Sequence, residues 1–355
     1  MNCLVIATLA LAFPLLLSAQ KHLTGTIDGA DFIVDVPAEP SGNVMFIARG
    51  FRPDFFPVSP VYEVETDFYQ TLLKEGWTIA STAFQSNDWV VAAGAEDILK
   101  LQAHIEAEIH PIRRAFVYGE TMGGGVAVWL AENKAETFAG VLCLGAHLFP
   151  EPVQGQEISP TITDAFSLKP KLPIVFLANG AEMLSSQTYA NQVAKTSVTP
   201  ITWFIDRSGH VNVNSAERLA AMRALVGWSE GAAIAAVENG TITMNPNSTA
   251  TLSGSAAAGA IRRLRPLYGN IYTSFVREDL ESIGIQIGDT FLLSHRKQTH
   301  EITFAKAYSD VPYHAWVAFI DPEGYVQVSR NYANAAETIG AVKGDSLLFS
   351  KPSQQ

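Results

Sequence analysis

Cysteine is almost absent from this chain of 355 residues: Cys3 and Cys143 are the only two. Cys3 lies in an N-terminal apolar run and Cys143 in the apolar stretch VLCLGA. One buried thiol in the mature chain forms no internal disulfide, so the fold must rest on a hydrophobic core. Positive charge is also scarce. Lys+Arg number 24 against 35 Asp+Glu, a net charge of −11, which excludes a general nucleic-acid binder. Arg262, Arg263 and Arg265 form one local cluster, which reads as a solvated face. His22, His104, His110, His147, His295, His300 and His314 lack metal-ligand spacing and read as surface or satisfied core residues. No metal or other cofactor is implied. Internal repeats are missing. A single long apolar run is present, CLVIATLALAFPLLL at 3–17, followed by Ser18-Ala19-Gln20. It falls short of the roughly 20 residues of a membrane span. It reads as a secretory signal over 1–19, cleaved after Ala19. The expectation is a secreted or periplasmic protein that is free of the membrane once the signal is removed.

What remains is patterned as two domains. From about residue 30 to 230, β-rich runs alternate with helical stretches. The strand candidates are DFIVDVP, NVMFIA, WTIASTAF, AFVYG, AGVLCLGA, PIVFLA and ITWFI. Several are continuous apolar runs, as in parallel strands covered on both faces. Helical patterns at 64–76, 93–109, 124–136 and 216–228 fall between and after them. The expected fold class is α/β, a mainly parallel sheet in a domain at 20–230. Residues 231–260, rich in small and polar side chains, read as a linker with a short strand or hairpin at GTITM. Residues 261–355 read as a β-rich, barrel-like second domain, with turn signals at IGDT, DPEG and KGDS between β-type runs.

The chemistry concentrates where strand AFVYG runs into Gly119-Glu120-Thr121-Met122-Gly123 and then a helix. This is the strand–turn–helix context of a nucleophile elbow, with threonine at the centre. The N–H of Met122 would be one oxyanion donor. A second would come from Arg49-Gly50-Phe51, at the end of NVMFIA. His210, in the Gly-His that follows ITWFI, is placed as the base. Glu182, after PIVFLA, is placed as the acid, with Asp206 and Glu151 as alternatives. The chain order is nucleophile, acid, base. These residues resemble the α/β-hydrolase superfamily, and most closely its secreted esterase-like members. Val36-Pro37 and Thr121-Met122-Gly123-Gly124 match their opening V-P and their S-M-G-G. Two positions depart from that pattern: Arg49 stands for the usual His before the loop glycine, and Thr121 for the usual Ser.

A second resemblance covers about 262–350. Tyr268-Gly269-Asn270, Tyr308-Ser309-Asp310-Val311, Pro322-Glu323-Gly324-Tyr325 and Asn331-Tyr332-Ala333-Asn334-Ala335-Ala336-Glu337 occur in order. This series is similar to the C-terminal domain of the S-adenosylmethionine hydroxide adenosyltransferases. The resemblance implies a purine site in which Asn270, Asn331 and Asn334 supply amides. Tyr268 and Tyr332 would supply walls, and backbone near Ala335 the ring-edge contacts. In that family the site is shared between protomers, which allows an oligomer. The family's Asp before F-G-N is replaced at Arg265-Pro266. Three readings follow. The first is a hydrolase acting on a small-molecule ester or related acyl bond. The second is a catalytically silent hydrolase scaffold whose barrel-like domain holds a nucleoside-like ligand. The third is hydrolysis of S-adenosylmethionine.

Overall fold

The computed structural model describes residues 20–60, 62–150, 161–265 and 267–352. The expected signal at 1–19 and the alternative acid Glu151 lie outside them, as does Pro266. Among the described residues no helix is long and apolar enough to cross a membrane.

The first sheet has eight strands: β1 (Lys21–Ile27), β2 (Ala30–Val36), β3 (Asn43–Ala48), β4 (Thr78–Thr82), β5 (Arg114–Glu120), β6 (Gly140–Leu144), β7 (Ile174–Asn179) and β8 (Ile201–Ile205). Their spatial order is β1-β2-β4-β3-β5-β6-β7-β8. β2 runs antiparallel to both neighbours, and β4 through β8 are parallel. This is the α/β-hydrolase sheet that the sequence led us to expect. Alternation along each strand divides the side chains between two faces. Val44, Phe46 and Val117 pack with α2 (Val91–His104) and α3 (Met122–Asn133). Met45, Ile47, Phe116 and Tyr118 pack with α1 (Asp67–Lys74) and α5 (Ser215–Ser229). A further helix, α4 (Met183–Gln192), follows β7 and buries Tyr189.

The second domain carries β9 (Thr251–Ser253), β10 (Ala256–Leu264), β11 (Ile271–Val276), α6 (Arg277–Ser282), β12 (Thr290–His295), β13 (Gln298–Phe304), β14 (Trp316–Ile320), β15 (Tyr325–Arg330), α7 (Ala335–Ile339) and β16 (Ser346–Ser350). Pairing runs β11-β15-β14-β13-β12-β16-β10, and β10 returns to β11, so seven strands close into a barrel. Phe275 and Phe349 stack 4.1 Å apart inside it.

Three expectations need correction. β10 starts at Ala256, inside the segment read as linker; its alanine-rich sequence hides a strand fixed by pairing with β16 and β11. GTITM forms no strand or hairpin. The Gly240 N–H reaches the Phe204 carbonyl, and the Ile242 N–H reaches Glu217, so this stretch lies along β8 and α5 instead. The arginine cluster is not a solvated face. Arg263 and Arg265 both pair with Glu63 of the first domain, and only Arg262 is exposed.

That pairing is the centre of the domain interface. Arg265 Nε lies 2.8 Å from Glu63 Oε1, and Arg263 bonds the other carboxylate oxygen. Burial raises the Glu63 pKa, but the two guanidiniums outweigh it and hold the carboxyl below its ordinary range. Nearby, Glu323 of the barrel accepts from the N–H and hydroxyl of Ser215, at 2.7 and 2.6 Å, on the first turn of α5.

Candidate active site

The turn after β5 is built by small residues. A Cβ at Gly119 would lie 2.1 Å from the Gly123 carbonyl oxygen, and one at Gly123 would lie 1.9 Å from that of Ala48. Only glycine lets strand and helix approach so closely. The chain is thereby forced to turn at Thr121, which has φ +53° and ψ −115°. For a β-branched residue this is a strained conformation, costing about 1–3 kcal/mol. Met122 opens α3, where first-turn N–H groups have no intrahelical acceptor. Gly50 lies against the elbow: a Cβ there would be 2.5 Å from Thr121 Oγ1. The loop bearing Phe51 therefore lies against the threonine.

Glu182 and His210 meet across the carboxyl edge of the sheet. Glu182 Oε1 lies 2.5 Å from His210 Nδ1 and also accepts from the Val211 N–H at 3.1 Å. Val211 adopts φ +48° at this point. The alternative acid Asp206 is exposed and does not take this place; its N–H donates to Thr241. The His210 side chain is 69% exposed. Desolvation pulls its proton affinity down. The Glu182 bond and charge, aided by Glu120, outweigh this, so the imidazole titrates above its ordinary value. Thr121 Oγ1 is turned toward Gly50, and no hydrogen bond joins it to His210 among the described residues.

Several supporting residues escaped the sequence reading. Asn179, fully buried at the end of β7, donates to the Arg207 and Gly209 carbonyls at 3.1 and 2.8 Å. It also accepts from the Asn212 N–H at 3.0 Å, so it holds the His210 loop at three points. Its position directly after an apolar strand was the available signal. His147, half-buried and with its ring bonded to the Pro150 carbonyl at 3.1 Å, lies beside the elbow. Its N–H donates to the Thr121 carbonyl at 3.0 Å, and its ring packs edge-on to Trp89 at 5.2 Å. Burial and the nearby His210 lower its pKa. Trp89 in turn neighbours Phe51, with ring centroids 6.2 Å apart. Arg49 is buried and donates to the Ala83, Gly50 and Ser86 carbonyls, with its guanidinium 4.7 Å from the centre of the Phe84 ring. Burial, with Arg52 nearby, pushes its pKa down to about 10. Arg49 thus ties the loop that bears Phe51 to the Ala83 and Ser86 backbone.

The purine constellation is arranged differently from its expectation. Asn270 donates to the Tyr308 hydroxyl at 2.8 Å. Asn331 donates to the Val311 carbonyl at 2.9 Å. Asn334 caps α7, accepting from the Glu337 N–H at 2.9 Å. The Ala335 side chain is buried, and the next N–H, of Ala336, donates to the Gly269 carbonyl. Asn334 touches Gly269, so two of the three segments converge, but each amide is engaged by protein. Tyr332 is 61% exposed and stacks on Tyr313, whereas Tyr268 packs on Phe56 of the first domain. The two tyrosines do not form one wall.

Comparison with known proteins bears on the barrel first. Residues 267–348 match the SAM hydroxide adenosyltransferase C-terminal domain. No curated protein matches the chain. Among solved structures, dienelactone hydrolase from Anabaena variabilis is 14% identical, with a TM-score of 0.43 over 60% of this chain and 96% of that one. Pyrococcus horikoshii acylaminoacyl peptidase is 13% identical, with a TM-score of 0.41 over 53% of this chain and 37% of that one. An uncharacterized conserved protein from Thermotoga maritima is 15% identical, with a TM-score of 0.28 over 38% of this chain and 49% of that one. The chain thus spans half or less of the Thermotoga and Pyrococcus proteins. Such distant likenesses carry nothing about activity, and the fold stands on the strand order described above.

Proposed function

We propose that this protein is an exported hydrolase that cleaves a carboxylic ester or related acyl bond through Thr121. The observation that carries this reading is the Glu182–His210 bond of 2.5 Å, on a loop locked by Asn179, beside a strained elbow threonine. With Nδ1–H donated to Glu182, His210 Nε2 is the free acceptor. It takes the Thr121 proton as Oγ1 attacks the carbonyl carbon. The carbonyl oxygen becomes an oxyanion, held by the N–H groups of Phe51 and Met122. Collapse expels the alcohol, which leaves with the proton from His210. Water, deprotonated by the same imidazole, then releases the acid and restores Thr121. The apolar run at 3–17 supports export, and amino-terminal sequencing of the secreted form checks cleavage after Ala19.

A screen of short-chain 4-nitrophenyl esters tests the reading. Thr121→Ala is expected to remove nearly all turnover, about a hundredfold or more, and Thr121→Ser to keep or raise it by removing the crowding methyl. Turnover that survives Thr121→Ala would sink the assignment. The silent-scaffold reading draws support from the barrel's family match. It gains less from geometry, because Asn270, Asn331 and Asn334 each already spend one end of the amide on a protein bond and the two tyrosines do not form one wall. The same arrangement counts against S-adenosylmethionine as a substrate.

A further inference from the structure

The end of β10 brings the barrel to the edge of the candidate active site. Arg265 Nε lies 2.8 Å from Glu63 Oε1, and the Arg265 side chain is 34% exposed. Its two terminal nitrogens donate no hydrogen bond among the described residues. Its guanidinium carbon lies 4.8 Å from the centre of the Tyr268 ring. Tyr268 packs on Phe56 at 5.3 Å, on the loop whose Gly50 lies against Thr121. From the other side, the Arg265 charge acts on His210. The loop bearing Gly50, His210 and this end of the barrel therefore come together beside Thr121.

The charges around that meeting point do not balance. Arg52 is 4% exposed, donates to the Ser59 carbonyl at 2.6 Å, and meets no carboxylate among the described residues. Burial, with Arg265 nearby, lowers its pKa. Arg49 behind it also lacks a carboxylate partner among the described residues. Glu63 is shared between Arg263 and Arg265, and Glu120 is taken by Tyr118 and Arg218. Asp321, the remaining acid facing Arg263, is pushed up to about 7 by burial, so its counter-charge is partial at neutral pH. A buried cation without a counter-ion is costly, and an arriving anion relieves that cost. A guanidinium with both terminal nitrogens available suits the two oxygens of a carboxylate. In a chain of net charge −11 this surplus is not a general surface property.

We propose that the crevice bordered by Arg52, Arg265 and Tyr268 is an anion subsite of the active site, and that the substrate is an ester carrying a carboxylate. The proposal rests on the hydrolase reading for its substrate but not for its ligand, and the experiment separates the two. In the first arm, wild type is given mono-4-nitrophenyl glutarate and the neutral 4-nitrophenyl pentanoate. The expected kcat/KM is about tenfold or more higher for the anionic ester, the worth of one charge-assisted hydrogen bond. The preference should shrink with added salt and fall to near parity in Arg265→Gln. In the second arm, glutarate is titrated into Thr121→Ala by calorimetry, with and without a second change at Arg265. Binding should weaken about tenfold with Arg265→Gln. It should weaken similarly with Arg265→Lys, which keeps the Glu63 pair but loses the fork. Melting curves establish that each variant is folded, and Arg265→Lys carries the test if Arg265→Gln loosens the interface.

Arg265-dependent glutarate binding without turnover of any ester would keep the subsite and overturn the hydrolase reading. Equal turnover of both esters with no glutarate binding would overturn the subsite and keep that reading. An anionic preference unchanged in both Arg265 variants overturns the assignment of Arg265. Inorganic phosphate binding more tightly than glutarate overturns the carboxylate. Absence of both turnover and binding overturns both proposals.

Discussion

At the scale of single residues, His210 sets the pH behaviour. A general base must be neutral, so activity falls as pH drops through its pKa. Glu182 raises that pKa above the ordinary histidine value of about 6.5. The kcat/KM profile should therefore have its acid limb above the position expected of a free histidine. Arg265 opposes the charged imidazole, so Arg265→Gln should move the limb further toward alkaline pH. A limb at or below the ordinary value would contradict the Glu182–His210 pair. His210 and Glu182 were legible in the sequence because each follows an apolar strand in the order that the elbow chemistry requires. Asn179 and His147 follow strands too, but their work is done through backbone bonds to distant loops, and no spacing rule announces that. The role of Arg265 was hidden for a different reason. Three arginines in four positions look like a solvated face until the fold brings Glu63 to them from about two hundred residues away.

At the scale of elements, the elbow depends on closeness between backbones. Gly123→Ala would place a methyl 1.9 Å from the Ala48 carbonyl oxygen, against backbone that cannot swing aside. The cost should exceed about 3 kcal/mol. We expect a variant that either melts far below wild type or fails to fold, which calorimetry will read. A melting point within a few degrees of wild type would show that β3 and α3 are not held as tightly as described. The strands of the first sheet from β2 onward were readable because burial on two faces writes continuous apolar runs. β1 was missed because it is an edge strand with largely exposed side chains, joined to β2 through Asp28-Gly29. β10 was missed because its sequence, AAAGAIRRL, favours helix locally. Its strand state is imposed by neighbours far along the chain.

At the scale of the whole molecule, the interface is an electrostatic joint. Glu63 has a depressed pKa, so its contribution is present above the ordinary glutamate value, about 4.3, and is lost as pH falls through the lower folded value. Thermal stability should drop below that pH in wild type. Glu63→Gln should lose about 1–3 kcal/mol at neutral pH, because two guanidiniums keep no carboxylate between them, and should show a weaker acid step. Calorimetry from pH 3 to pH 7 checks both. An unchanged melting point in Glu63→Gln at neutral pH would show that the two domains hold together by other contacts.

The contact between Tyr268 and the oxyanion loop has a consequence for how the molecule comes into being. A chain grows from its amino terminus, and domains fold broadly in that order. Thr121, Glu182 and His210 are all made before residue 230, yet Tyr268 and Arg265 are not. The nascent first domain would hold its proposed reacting groups beneath an unroofed loop, with Glu63 lacking its two arginine partners from the barrel. Competence would then arrive late, when β16 (Ser346–Ser350) closes the barrel over a sheet whose last strand ends at Ile205.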